Sequence, residues 1–393
     1  MQGGPSLLAP SCSACLYFSA LFSFSFVAGA VTVLQSTLNQ QLGLILGLFT
    51  FATFISFSIG LVILTFLVVV EAQQKSLPLL LTWKARPSPL LFLAGPCGVL
   101  FVTASIYVTL FIGFALFYLC FVVGQLAAAI AADACGYGVQ GGVKIAPTLP
   151  RLLLLALALA GVALSVVEAL LPSSSAAAAF PPANLGWCAL AALVGAASLV
   201  QSVLNRAAAA LLPSQLQATW WSFFVGTLLA LLVFGAQAAA LGGGPPRLAA
   251  ALSDRASALQ LQHFLGGPLG VLFVFAAVFV PSLIGSQAYS VALVSGQLVC
   301  SAVMDSLGGL GATARALSPL RVAGVAVVLA AAAGMQAVRG RTLAACLAQA
   351  GCSSSGGGGG SGSGSGCLAE LPAPALGSPP EPAGAALSVR APG

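Results

Sequence analysis

Residues 29–39 read GAVTVLQSTLN, and residues 195–205 read GAASLVQSVLN. Six positions recur in register: Gly29/Gly195, Ala30/Ala196, Gln35/Gln201, Ser36/Ser202, Leu38/Leu204 and Asn39/Asn205. The offset of 166 residues still holds where ISFSIG (55–60) meets WSFFVG (221–226). It then widens to 172, because one later loop is six residues longer. At that offset GPCGVLF (95–101) matches GPLGVLF (267–273), and VGQLAAAIAADACG (123–136) matches SGQLVCSAVMDSLG (295–308). Four ordered matches with one loop insertion are not a chance event. The chain carries two copies of one unit.

Composition says where that unit lives. Charged residues make up 5% of the chain and hydrophobic ones 59%, with a mean hydropathy of +1.07. A soluble domain carries about 25% charged residues, so this chain's solvent is mostly lipid. The formal net charge is +6, from 13 Lys and Arg spread over many loops without a basic run. Such spacing argues against nucleic acid and for a role in topology. Ten Cys and one His, with one CxxC (Cys12, Cys15) and no second, do not make a zinc site. No P-loop lysine motif is present, and no nucleophile–base pair is visible. The expectation is a protein that is not an enzyme and needs no cofactor. The first 15 residues hold no Lys or Arg, so the charged start of a secretory signal is missing.

The apolar runs predict ten membrane helices, near 16–38, 44–70, 89–111, 114–133, 151–170, 186–206, 212–236, 264–284, 286–305 and 319–338. Each reaches or approaches the ~20 residues that cross a bilayer. Residues 1–15 form a short lead, 16–170 the first copy, 171–185 a Ser/Pro linker, and 186–338 the second copy. The Gly/Ser/Pro-rich tail, 339–393, cannot bury enough apolar area to order itself. The fold expected is an all-α integral membrane protein of two five-helix repeats. Five helices is an odd number, so the second copy enters the membrane inverted. Placing the N-terminus in the cytoplasm puts Lys75, Lys84, Arg86, Lys144, Arg151, Arg206, Arg339 and Arg341 inside. It leaves Arg247, Arg255, Arg315 and Arg321 outside. That bias favours both termini in the cytoplasm.

The polar residues inside the apolar runs are the candidate site. Gln35 and Asn39 share a helix face, and Gln201 and Asn205 repeat them. They either line a substrate path or tie helices together; the asparagines could also cap helix ends. Gln125 and Asp133 lie eight apart on one face, answered by Gln297 and Asp305. The carboxyls either couple or gate transport, proton-driven export being one such use, or are interfacial groups held by water or by a loop cation such as Lys144 or Arg315. Pro96 and Pro268, each in a GPxG setting, either kink their helices or mark tight packing through the flanking glycines. Phe49, Phe51, Phe54 and Phe57, with Trp220, Trp221, Phe223 and Phe224, are mostly packing residues.

Taken together, GAxxxxQSxLN, SFxxG, GPxGVLF and GQxxxxxxxD with Gly three later resemble the YdcZ-like inner-membrane exporters of the drug/metabolite transporter superfamily. The likeness runs through both halves, from about 29 to 136 and 195 to 311. Members look like five-helix units that occur singly, as pairs and as fused doubles of opposite orientation. The resemblance implies a fused antiparallel pseudo-dimer, a monomer in itself, that exports small organic solutes across a lipid bilayer. It carries over no particular substrate. The glutamate that couples the superfamily's small multidrug pumps is missing from the first helix, where Gln35 and Gln201 are the nearest polar residues. The second reading is a non-transporting membrane scaffold. A midplane cavity where the two amide-bearing helices meet separates the two.

Overall fold

The computed structural model describes residues 12–78, 82–137, 144–170, 181, 183–240, 253–284, 286–308 and 318–355. Their helices are α1 (Cys12–Leu46), α2 (Phe49–Lys75), α3 (Ala94–Cys135), α4 (Leu149–Leu170), α5 (Ala183–Leu211), α6 (Gln215–Ala240), α7 (Gly266–Phe279), α8 (Pro281–Ile284), α9 (Ser286–Leu307) and α10 (Pro319–Ser355). No strand occurs among the described residues. Nine helical stretches there are long and apolar enough to cross a membrane. The linker residues 171–180 and 182, the lead 1–11 and the tail beyond 355 lie outside the description.

The nine become ten at Gly113. Helix α3 runs through this glycine at φ 79°, ψ 168°, a backbone setting that is not helical. Phe101 and Phe121 flank the break and stand twenty residues apart, about 30 Å along a straight helix. Their rings are 5.2 Å apart. The chain therefore doubles back at Gly113, and α3 is two antiparallel spans, residues 94–112 and 114–135. Alanine at Gly113 should cost about 2 kcal/mol, since only glycine adopts that setting without strain. A fall in thermal midpoint with an unchanged helical spectrum would show it.

Both ends of the first span pairs can be followed. Lys84 N donates to Leu211 O at 2.9 Å, and Gln217 Nε2 donates to Pro78 O at 3.0 Å. The end of α2 and the end of α5 thus share one face, called here the near face, from which α1 also starts. Helix α5 therefore starts at the opposite, far face, and the two copies run in opposite senses. The last helices confirm the inversion. A Cβ on Gly161 would meet Gly324 O at 2.9 Å, and one on Gly334 would meet Leu154 Cδ2 at 3.0 Å. Rising numbers in α4 face falling numbers in α10, so the two fifth helices pack antiparallel.

Glycine makes the interface between the copies. Cβ atoms on Gly29 and Gly296 would fall 2.0 and 1.9 Å from the carbonyl oxygens of Leu293 and Phe26. On Gly195 and Gly124 they would fall 1.9 and 1.8 Å from those of Phe121 and Ala192. The first helix of each copy thus crosses the fourth helix of the other, backbone against backbone, as small residues allow in membranes. Phe57 seats against Gly226, and Phe223 against Gly60. Residue i meets j, and the counterpart of j meets the counterpart of i, which is the rule of an isologous two-fold contact.

Three differences from the sequence reading bear on the site. Helix α1 continues to Leu46, so Asn39 is a mid-helix residue, as is Asn205 in α5; neither caps a helix end. Helix α10 runs on to Ser355, past Arg339, because TLAACLAQA (342–350) holds no helix breaker. Pro96 and Pro268 each stand third in their helices. In a first turn the missing N–H leaves no bond unmade, so the prolines start helices rather than bend them.

Candidate functional site

A small cavity lies on the two-fold axis at mid-depth. It is lined by Gln35 and Gln201, Phe57 and Phe223, Gly98 and Gly270, Phe101 and Phe273, and Val102 and Val274, with Ser56 besides. Five counterpart pairs meet there. The second glycine of each GPxG makes room for an amide: a Cβ on Gly98 would sit 2.8 Å from Gln201 Nε2, and one on Gly270 would sit 2.7 Å from Gln35 Nε2. The first glycine, Gly95 or Gly267, admits the second helix of the other copy, its Cβ position 2.5 Å from Gly226 N or 2.8 Å from Ser56 O. The cavity holds about 20 Å³, space for one or two waters.

Of the four path residues, two line this cavity. Asn39 instead ties α1 to α2, its Nδ2 donating to Ser56 Oγ at 3.2 Å. Its Oδ1 has no partner, nor do Gln35 Oε1, Asn205 Oδ1, or either amide atom of the fully buried Gln297. Such orphaned amide atoms cost about 1–3 kcal/mol each. Gln125 is half-buried on the helix that carries Asp133, and neither it nor Gln297 reaches the cavity.

The aspartates hold the two ends of the molecule. At the far face Asp305 accepts from Phe114 N at 2.8 Å and Ala115 N at 2.9 Å. These are free amides of the helix that restarts after Gly113, and a carboxylate suits that positive end. At the near face Asp133 takes Arg151 Nη2 at 2.6 Å and Arg339 Nε and Nη2 at 2.7 and 2.9 Å. Its cationic partners are thus Arg151 and Arg339. Both ends join one copy to the other, α9 to α3 at the far face and α3 to α10 at the near face. The side chain of Glu168 lies outside the description.

The family described as "Putative inner membrane exporter, YdcZ" matches residues 20–164 and again 186–334. The chain belongs to this family. Its two matched regions are the two inverted copies, and a YdcZ protein is a membrane transporter rather than an enzyme. No protein of curated function matches the chain.

Four polar residues in this YdcZ protein, Gln40, Ser105, Thr109 and Tyr118, are not repeated in the second copy. Ser36 Oγ lies 3.0 Å from Ser105 Oγ and 2.8 Å from Tyr118 Oη, which also donates to Thr32 O at 2.9 Å. Gln40 Nε2 donates to Thr109 Oγ1 at 2.7 Å. The second copy has Ala277, Ser290, Arg206 and Pro281 at the counterparts of Ser105, Tyr118, Gln40 and Thr109. The first copy is therefore cross-linked by hydroxyls where the second is not. The repeat therefore does not point to these four residues. Of the aromatics in α2 and α6, Phe57 and Phe223, with rings 5.2 Å apart, wall the cavity. Trp220 stacks on Phe224 and Phe51 on Phe234 away from it.

Proposed function

We propose that the protein is a secondary active exporter of a small polar organic solute, working by alternating access between its two inverted copies. The observation that carries this is the axial cavity that Gln35 and Gln201 both line. Inverted repeats with a polar site at their mid-depth junction are the architecture of such transporters. Space for one or two waters marks the present conformation as occluded. Opening toward either face would give the orphaned amides of Gln35, Asn39, Asn205 and Gln297 their partners, from solute or water. Asp133 and Asp305 act as gates, each a clasp between copies at one face. Release of one clasp while the other stays shut gives access from one side at a time. Both termini lie in the cytoplasm, because the near face carries the larger share of the cations.

Leucine at both Gln35 and Gln201 should leave the protein folded and lower solute flux about tenfold or more, one hydrogen-bonding group being lost per copy. The measurement is uptake of a panel of labelled amino acids, carboxylates and nucleosides into proteoliposomes, beside size exclusion of the same preparations. Movement of a solute by the parent protein and equally by the double variant removes the amides from the route. Movement of no solute class by the parent favours the scaffold.

A further inference from the structure

Three arginines and an aspartate lie near one another at the near face, two of the arginines bonded to the aspartate. Asp133 ends the second span of α3, Arg151 opens α4, Arg206 belongs to α5 and Arg339 to α10. Both oxygens of Asp133 are taken by Arg151 and Arg339. Arg206 lies close enough to Arg339, to Asp133 and to the Tyr289 hydroxyl to feel each of them. It pairs with no carboxylate among the described residues. One carboxylate thus stands beside three guanidiniums and bonds to two of them. At the far face the corresponding cavity is lined by one aspartate, Asp305, and one arginine, Arg321.

Two of the buried side chains here have atoms that lack hydrogen-bond partners. Arg151 is completely buried, yet its Nε and Nη1 have no hydrogen-bond partner. Tyr289 is buried on α9, and its hydroxyl has none either. A buried guanidinium with donors unmet is strongly unfavourable. What would satisfy it is an acceptor bearing negative charge, and guanidinium forks match the oxygens of carboxylate and phosphate. We propose that this cluster is an oxyanion site, binding a carboxylate or phosphate group among Arg151, Arg206 and the Tyr289 hydroxyl. Asp133 keeps Arg151 and Arg339 in place. The oxyanion is either a free small anion or the headgroup of an anionic lipid, since the site lies at a membrane face. The inference stands apart from the central cavity and holds whether or not that cavity carries solute.

The test is thermal unfolding of the full chain in neutral detergent, with sodium phosphate titrated against sodium chloride at matched ionic strength. Phosphate should raise the midpoint saturably and chloride should not. Tyr289→Phe should leave the midpoint without phosphate unchanged and weaken the apparent phosphate affinity about tenfold. Arg206→Gln should abolish the phosphate effect. The same titration in nanodiscs separates the sources. Stabilisation by phosphate in neutral phosphatidylcholine discs, lost in discs containing phosphatidylglycerol, assigns the site to a lipid headgroup. Equal stabilisation in both assigns it to a free anion. The proposal is overturned if neither phosphate, acetate nor phosphatidylglycerol stabilises beyond chloride. It is equally overturned if both variants respond as the parent does.

Discussion

Asparagine in place of Asp133 should destabilise the protein by about 3–5 kcal/mol, because it leaves buried arginine unpaired. Asparagine keeps the shape of the side chain and removes its charge. Arg151 is fully buried and Arg339 nearly so, and the aspartate is the carboxylate that both of them contact. The thermal midpoint in detergent is the measurement. Removing a cation as well should return part of the loss, so Asp133→Asn combined with Arg339→Gln should be more stable than the sum of the two single changes. A coupling of about 1–3 kcal/mol is the expected size for groups in one network. Strict additivity would show that the ion pair contributes nothing to holding α3 on α10.

Valine at Gly195 should be comparably damaging, costing about 3 kcal/mol or more, since overpacking here pushes on backbone rather than on a yielding side chain. The Cβ position lies 1.9 Å from the Phe121 carbonyl oxygen, so the crossing of α5 over α3 must open. The matching change at Gly29, 2.0 Å from Leu293 O, should do the same at the symmetric crossing. Gly235 is the control, because nothing lies within 4 Å of its Cβ position. Alanine there should raise stability by up to about 1 kcal/mol through helix propensity. Monodisperse yield and thermal midpoint of the three variants decide the matter. A Gly195→Val protein as stable as the parent would mean that the two copies do not touch at this crossing.

Much of the architecture was legible because duplication writes itself into sequence. A residue that must meet its own counterpart across an axis appears twice at a fixed spacing, as Gln35 and Gln201 do. Inversion followed from counting helices, and the break at Gly113 falls between the apolar runs 89–111 and 114–133. The roles of the repeated residues were less legible. Gly124 stood beside Gln125 as a motif, but its use is to admit the carbonyl of Ala192, which only a distance reveals. The asparagines looked like partners of the glutamines because they share a helix face. One turn of helix is enough to carry Asn39 off the axis and into a bond with Ser56. The partners of Asp133 were sought in nearby loops. They came instead from the starts and ends of other spans, one of them, Arg339, 206 residues away.

The sequence alone determined that this is a lipid-embedded, doubled and inverted helical protein. Charge content, apolar run length and an odd helix count are one-dimensional quantities, and each has a direct physical consequence. Only the tertiary structure decided which polar groups face one another. Side-chain partnership depends on how helices cross, and crossing is set by where glycine lets two backbones approach. That is why two of the four path amides line the axial cavity, why Asp305 meets the free amides of a helix in the other copy, and why Arg151 and Arg339 share one carboxylate at the near face.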